Sequence, residues 1–182
     1  MSIAESIIPF APAGTWEADP VHSNVSFEVE YAGGGTFRGG FREYTAELNG
    51  STLAGTAQVA SVDVKDEQLN GHLQSPDFFD AERSPQIAFR ASELERAEDG
   101  TVHGSGELTL KGVTKPIELT GRVGSPAVDP FGREKLGLSL QATVDRNEFG
   151  ISWNMPNQSG GGNYLGDDVT LIADLILVRA EA

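Results

Sequence analysis

Between Val25 and Tyr31 every second residue is apolar. Val25, Phe27, Val29 and Tyr31 alternate with Ser26, Glu28 and Glu30. A period of two puts the apolar set on one face of a strand and the polar set on the other. The pattern recurs along the chain. Ile87, Phe89 and Ala91 alternate with Gln86, Ala88 and Arg90. Val102, Gly104, Gly106, Leu108 and Leu110 share one face, as do Ile117, Leu119, Gly121 and Val123. Leu136, Leu138, Leu140, Ala142 and Val144 alternate with Gly137, Ser139, Gln141 and Thr143. Asn49-Gly50 and Asp99-Gly100 mark tight turns, and Gly112 to Pro116 and Pro126 to Arg133 read as a turn and a loop. Leu53 to Val64 and Val169 to Val178 complete about eight closely spaced strands. This is the pattern of a single antiparallel barrel or sandwich. Long apolar faces opposite polar ones favour a closed barrel, wide enough for packed side chains or one small ligand.

One stretch breaks the rule. From Asp66 to Pro85 the apolar residues Leu69, Leu73, Phe78 and Phe79 fall at helical spacing. A short helical segment is expected near residues 66–82, with a helix start within it at Ser75, Pro76 in the first turn and Asp77 near the positive end. Phe78 and Phe79 would then plug one end of the barrel. Residues 1–14 read as a flexible arm and 15–182 as the barrel domain. A long polar loop, Met155 to Gly166, precedes the last strand.

Composition removes several functions. The 182 residues hold 13 basic and 27 acidic side chains, a formal charge of −14, and no basic stripe for nucleic acid or an anionic membrane. Without cysteine there are no disulfides, thiolate metal sites or cysteine nucleophiles. The N-terminal stretch lacks a basic signal-peptide region, and no apolar run reaches the ~18 residues of a membrane helix. A cytoplasmic protein is expected. His22, His72 and His103 show no HxH or HExxH spacing, so neither a metal nor another cofactor is expected. Gly104-Ser105-Gly106 lies in a strand rather than at a nucleophile elbow.

Apolar inward faces can mean a solid core or a hollow one. The small inward residues Gly104, Gly106, Ala142, Ala91 and Gly121 suggest space between larger walls. The expected lining is Phe27, Val29, Tyr31, Phe37, Phe41, Phe78, Phe79, Phe89, Leu108, Leu138, Leu140, Phe149, Trp153, Tyr164 and Leu171. Trp153, beside the polar loop, would gate the opening. Arg38, Arg42 and Arg146 are the candidates for a ligand head group.

Several segments carry a resemblance. They are Trp16 with Asp19-Pro20-Val21-His22-Ser23, then His72 to Asp80, then Pro85 to Phe89. Gly106 to Pro116, Arg146-Asn147-Glu148-Phe149-Gly150 and Gly166-Asp167-Asp168-Val169 follow. In this order they resemble the YceI-like family of lipocalin-like polyisoprenoid-binding proteins. The resemblance implies an extended barrel with a long apolar cavity. It also implies a bound amphiphile with an isoprenoid or fatty chain: a polyprenyl derivative, an isoprenoid quinone or a fatty amide. It implies no catalytic residues. Family members often pair, and a two-fold dimer is the commonest closed assembly, so a homodimer is expected. The sequence departs from the family pattern at Asn70, Tyr31 and Gly33-Gly34-Gly35-Thr36, where many relatives carry an acid, a histidine and bulkier residues.

The leading expectation is a non-enzymatic lipid carrier. An enzyme acting on an apolar substrate would instead place an ionisable pair with shifted pKa in the pocket. A ligand-free stress-response or interaction protein would have a filled barrel. The net charge argues against an anionic head group, and a neutral quinone or amide head is preferred over a pyrophosphate.

Overall fold

The computed structural model describes residues 9–156, 158–160 and 162–180. Strands dominate. In chain order they are β1 (Thr15–Ala18), β2 (Asn24–Tyr31), β3 (Gly35–Phe41), β4 (Tyr44–Asn49), β5 (Thr52–Gln58) and β6 (Val62–Asp63). After helix α1 (Glu67–Leu73) come β7 (Gln86–Ala91), β8 (Glu95–Arg96), β9 (Thr101–Leu110) and β10 (Val113–Val123). The last are β11 (Ala127–Val128), β12 (Glu134–Asp145) and β13 (Leu165–Arg179).

Eight of these close a ring. The order β12-β10-β9-β7-β5-β4-β1-β13 returns to β12, and every pairing in it is antiparallel. The expected eight-stranded antiparallel barrel is therefore the observed fold. The turn signals fall where the alternation required them. Lys111-Gly112 forms a two-residue loop between β9 and β10, with Leu110 opposite Val113.

The barrel widens because β13 is long. Its C-terminal end pairs with β1 and its earlier part with β2. The chain bends between them at Asp19 to Ser23. Ser23 is buried there, its Oγ accepting from the Ile176 N–H at 2.9 Å, while the Asp19 N–H donates to the Ile176 carbonyl at 2.8 Å. These bonds satisfy the β13 backbone groups that the bend leaves without a ladder partner. β3 then adds to β2, and β6 folds back on β3.

Beyond β6 the wall is completed by the helical segment. Asp66, not Ser75, caps α1, its Oδ1 accepting from the Leu69 N–H at 2.9 Å. Asn70 Oδ1 accepts from the Val64 N–H at 2.7 Å and fixes the helix against β6. Ser75 follows the helix, in turns that run to Arg83, and Gly71 lies inside the helix on its exposed side. The Ser-Pro-Asp signal thus belongs to a turn. Phe78 and Phe79 face the barrel from that turn, because the Phe79 and Ala81 N–H groups return to the Leu73 and Gln74 carbonyls.

One end of the barrel is solid. Trp16, Leu48, Val102, Leu136 and Leu177 are essentially fully buried there. Phe10 and Ala11, in the stretch expected as a loose arm, are buried in the same cluster, and Arg179 donates to the Ala13 carbonyl. Residues 1–8 of that arm lie outside the described residues. Pro126 to Arg133, expected as a loop, contains β11 and is a small hairpin on β12.

Candidate functional site

The other half of the barrel is hollow. A cavity of about 520 Å³ lies between β2, β3, β5, β7, β9, β10, β12 and β13, roofed by α1 and its following turn on one side and residues 151–155 on the other. Leu53, Leu119, Leu140 and Leu175 form its floor, above the solid end. Many inward apolar side chains on this wall, among them Phe37, Phe41, Ile87, Phe89, Leu171 and Ala173, are only partly buried. They pack against the core on one side and face the cavity on the other. The volume falls within the roughly 300–1,000 Å³ typical of small-molecule sites.

Most of the expected residues meet on this wall: Phe27, Val29, Tyr31, Phe37, Phe41, Phe78, Phe79, Phe89, Leu108, Leu140, Trp153 and Leu171. Three do not. Leu138 has the right parity but sits in the layer below Leu140, 2% exposed and part of the solid end. Phe149 lies in a short 3-10 turn, Arg146–Phe149, past the end of β12, where strand parity no longer applies, and it packs into the core. Tyr164 precedes the register shift in β13 and meets Tyr31 at the rim, 5.6 Å between ring centroids.

The space also has a different origin from the one expected. Gly104 and Gly106 leave no room, because a Cβ on Gly104 would meet Leu94 at 2.9 Å and one on Gly106 the Arg90 carbonyl at 2.8 Å. A Cβ on Gly121 would lie 1.8 Å from the Ser139 carbonyl oxygen, so that glycine serves close strand approach. Ala91 is fully buried. Of the five small residues only Ala142 lines the void, joined by Ala46, Gly55, Ala57 and Ala173. Leu69 and Leu73 from α1, with Ile87, Ile117 and Val169, complete much of the wall. Parity pointed to the strand residues. Leu69 and Leu73 were legible from their i, i+4 spacing.

Aromatic side chains organise the upper cavity. Phe27 is the hub, with ring centroids 6.5 Å from Phe37 and 5.9 Å from both Phe41 and Phe79. At the mouth His72 stands edge-on to Trp153 at 4.7 Å and to Phe78 at 5.0 Å, while its Nε2 lies 3.1 Å from Asp77 Oδ2.

The three candidate arginines do not converge. Arg38 pairs with Glu28 at 2.7 Å and Arg42 with Asp63 at 2.8 Å, both on the outer surface. Only Arg146 reaches the cavity. It is 4% exposed; its Nε donates to the Gly166 carbonyl, and its Nη1 to the Ile151 and Trp153 carbonyls, all at 2.8 Å. Burial lowers its pKa, opposed by the nearby carboxylates of Asp167 and Asp145. Its Nη2 has no hydrogen-bond partner among the described residues. The three histidines lie apart, each against a single carboxylate: Asp19, Asp77 and Glu95.

The family model for the YceI-like domain matches residues 16–177. The chain belongs to the YceI-like family. Among relatives, a UPF0312 protein of Pseudomonas putida is 28% identical over 137 residues, 71% of each chain. A Campylobacter jejuni YceI protein, crystallised with large solvent channels, superimposes with a TM-score of 0.68 at 28% identity, covering 80% of this chain and 86% of its own. A polyisoprenoid-binding domain from Saccharophagus degradans, implicated in plant cell wall breakdown, shares the fold at a TM-score of 0.69 and 14% identity, covering 91% and 98%. As in other YceI-like chains, the wall here is a closed barrel. No helix among the described residues is long and apolar enough to cross a membrane.

Proposed function

We propose that this protein binds, without catalysis, one amphiphilic lipid with an isoprenoid or fatty chain, and carries or sequesters it. The single observation that carries the reading is the hollow apolar half of the barrel, with Arg146 as its buried cation. Each buried methylene contributes about 0.8 kcal/mol, so a five-carbon prenyl unit contributes roughly 3–4 kcal/mol before binding costs. About four units, roughly 12–16 kcal/mol, leave the ~8 kcal/mol of micromolar affinity after binding costs of several kcal/mol. Polar groups then set orientation and selectivity. The resemblance to polyisoprenoid-binding proteins supports the same ligand class.

The head group is a neutral or weakly polar one, a quinone or an amide. Arg146 has already given three hydrogen bonds to carbonyls and has Asp145 and Asp167 nearby. Arg38 and Arg42 are held outside by acids. A pyrophosphate needs several clustered donors. Arg146 Nη2 offers the two N–H groups of a single nitrogen, which suit one carbonyl oxygen better than a pyrophosphate.

The test is equilibrium competition among a long-chain quinone, a fatty amide and a polyprenyl pyrophosphate. The neutral heads should bind more tightly by about tenfold or more. A pyrophosphate that outcompetes both overturns the head-group assignment. Failure of all three to bind overturns the carrier reading.

A further inference from the structure

The cavity roof is built from two pieces that meet at a seam. One is α1 with the turn through Ser84, and the other is the chain from Gly150 to Met155. Each is tied to the barrel separately, the first through Asn70 and the second through Arg146 and through Asn154, whose side chain bonds both the N–H and the carbonyl of Leu165. Across the seam, among the described residues, the pieces meet through the rings of His72 and Phe78 against Trp153. No direct hydrogen bond between them is found there.

One side chain spans the seam. Lys111 Nζ donates to the Pro76 carbonyl at 2.5 Å and to the Gly150 carbonyl at 3.2 Å. It comes from the tip of the β9–β10 hairpin, where a Cβ on Gly112 would sit 3.7 Å from Ser84 Oγ. The backbone at this tip is a poor place for lysine. Lys111 has φ 52° and Gly112 φ 77°, so the two-residue loop needs the left-handed region at both positions. Asparagine or glycine is favoured at the first position, and a longer side chain there costs backbone energy. Strain of this kind persists where the side chain is used.

We propose that Lys111 is the latch of the cavity mouth: its ammonium joins the Pro76 and Gly150 carbonyls, and ligand passes through the seam when that bridge opens. The Trp153 side chain is the moving leaf, since its ring makes the contact across the seam while its backbone is held by Arg146 and by the neighbouring Asn154. The ligand-passage half of this inference rests on the carrier reading. The latch itself does not.

The decisive variant is Lys111→Asn, because it separates latch from scaffold. Asn-Gly is a preferred pair for this loop, so the thermal midpoint should hold or rise. Loss of the amine should nevertheless speed amide hydrogen exchange in the ligand-free protein at Phe79, Asp80 and Ile151 by about tenfold, the low end for a hydrogen bond from a charged donor. Release of a dansylated long-chain fatty amide should quicken by a similar factor. Lys111→Arg keeps a charged donor and should keep both rates near those of the unchanged protein. Unchanged exchange and release in Lys111→Asn overturn the latch, as does faster exchange spread evenly over β12 and β13. A probe that binds neither protein overturns the carrier reading, and the exchange result still decides the latch.

Discussion

The ring of Phe79 meets the ring of Phe27 edge-on, 5.9 Å between centroids at an interplanar angle of 69°. This contact joins the helical segment to the barrel wall, and Phe41 closes a triangle at 5.7 Å from Phe79. Aromatic pairs of this geometry contribute about 0.5–1.5 kcal/mol beyond the area they bury. Phe79→Ala should therefore cost about 2–3 kcal/mol of stability, with the loss of two ring contacts added to lost burial. Chemical denaturation measures the loss. A change under about 0.5 kcal/mol would mean the segment does not hold the wall.

Filling the void should separate stability from binding. Ala173 lies on β13, lines the cavity and is only partly buried. Ala173→Leu adds apolar volume where there is room, so stability should hold or rise by up to about 1 kcal/mol, as cavity-filling changes commonly do. Lipid uptake should fall sharply. Thermal melts beside a fluorescent lipid titration check both. A solid interior would give the opposite, a destabilised protein through overpacking.

Gly39 is set against the Phe27 ring. A Cβ there would lie 2.5 Å from the ring and 2.7 Å from Val64 Cγ1. Gly39→Ala must displace Phe27 into the cavity or strain β3, and should cost about 1–3 kcal/mol. Its lipid affinity should drop with it, whereas Gly71→Ala on the exposed side of α1 should stabilise by up to about 1 kcal/mol. Parallel melts of the two variants read the contrast.

Acid should destabilise the protein partly through Asp129. Its carboxylate accepts from the Arg133 and Phe131 N–H groups at 2.9 Å each, and the Arg133 backbone bond is the largest influence holding its pKa below the ordinary carboxylate value. A group with a lowered folded pKa binds protons more readily when unfolded. Its stabilising effect is present above the unfolded pKa of about 4 and is lost as pH falls through the lower folded value. Asp129→Asn should flatten the fall in stability below about pH 4, as followed by melts across that window. An unaltered acid slope would remove Asp129 from the account.

Much of this was legible in the chain because strand parity is strict. Residues such as Phe27, Phe89, Leu108 and Leu171 had to face inward once their strands were assigned. Parity reports a face, however, and not a height along the barrel. That is why Leu138 reads like Leu140 in the sequence yet lies in the solid end. The void follows from pairs of small residues that face each other only after folding, such as Ala46 opposite Gly55 on β4 and β5. Isolated glycines such as Gly121 serve close strand approach instead. The helix start was ambiguous locally, since both Asp66 and Ser75 carry capping chemistry. Tertiary contact decided it, through the Asn70 bond to β6 and the need for Phe78 and Phe79 to face the cavity. Arg146 could be chosen over Arg38 and Arg42 only once the 3-10 turn after β12 was seen to turn it inward.

The central claim is that the barrel is hollow in order to hold a lipid. Native mass spectrometry of the purified protein, with organic extraction and lipid analysis of what it carries, tests this most directly. A discrete added mass matching a prenyl quinone or fatty amide is the predicted result, one lipid per chain. A bare protein mass that stays bare after incubation with long-chain quinone and fatty amide would contradict it.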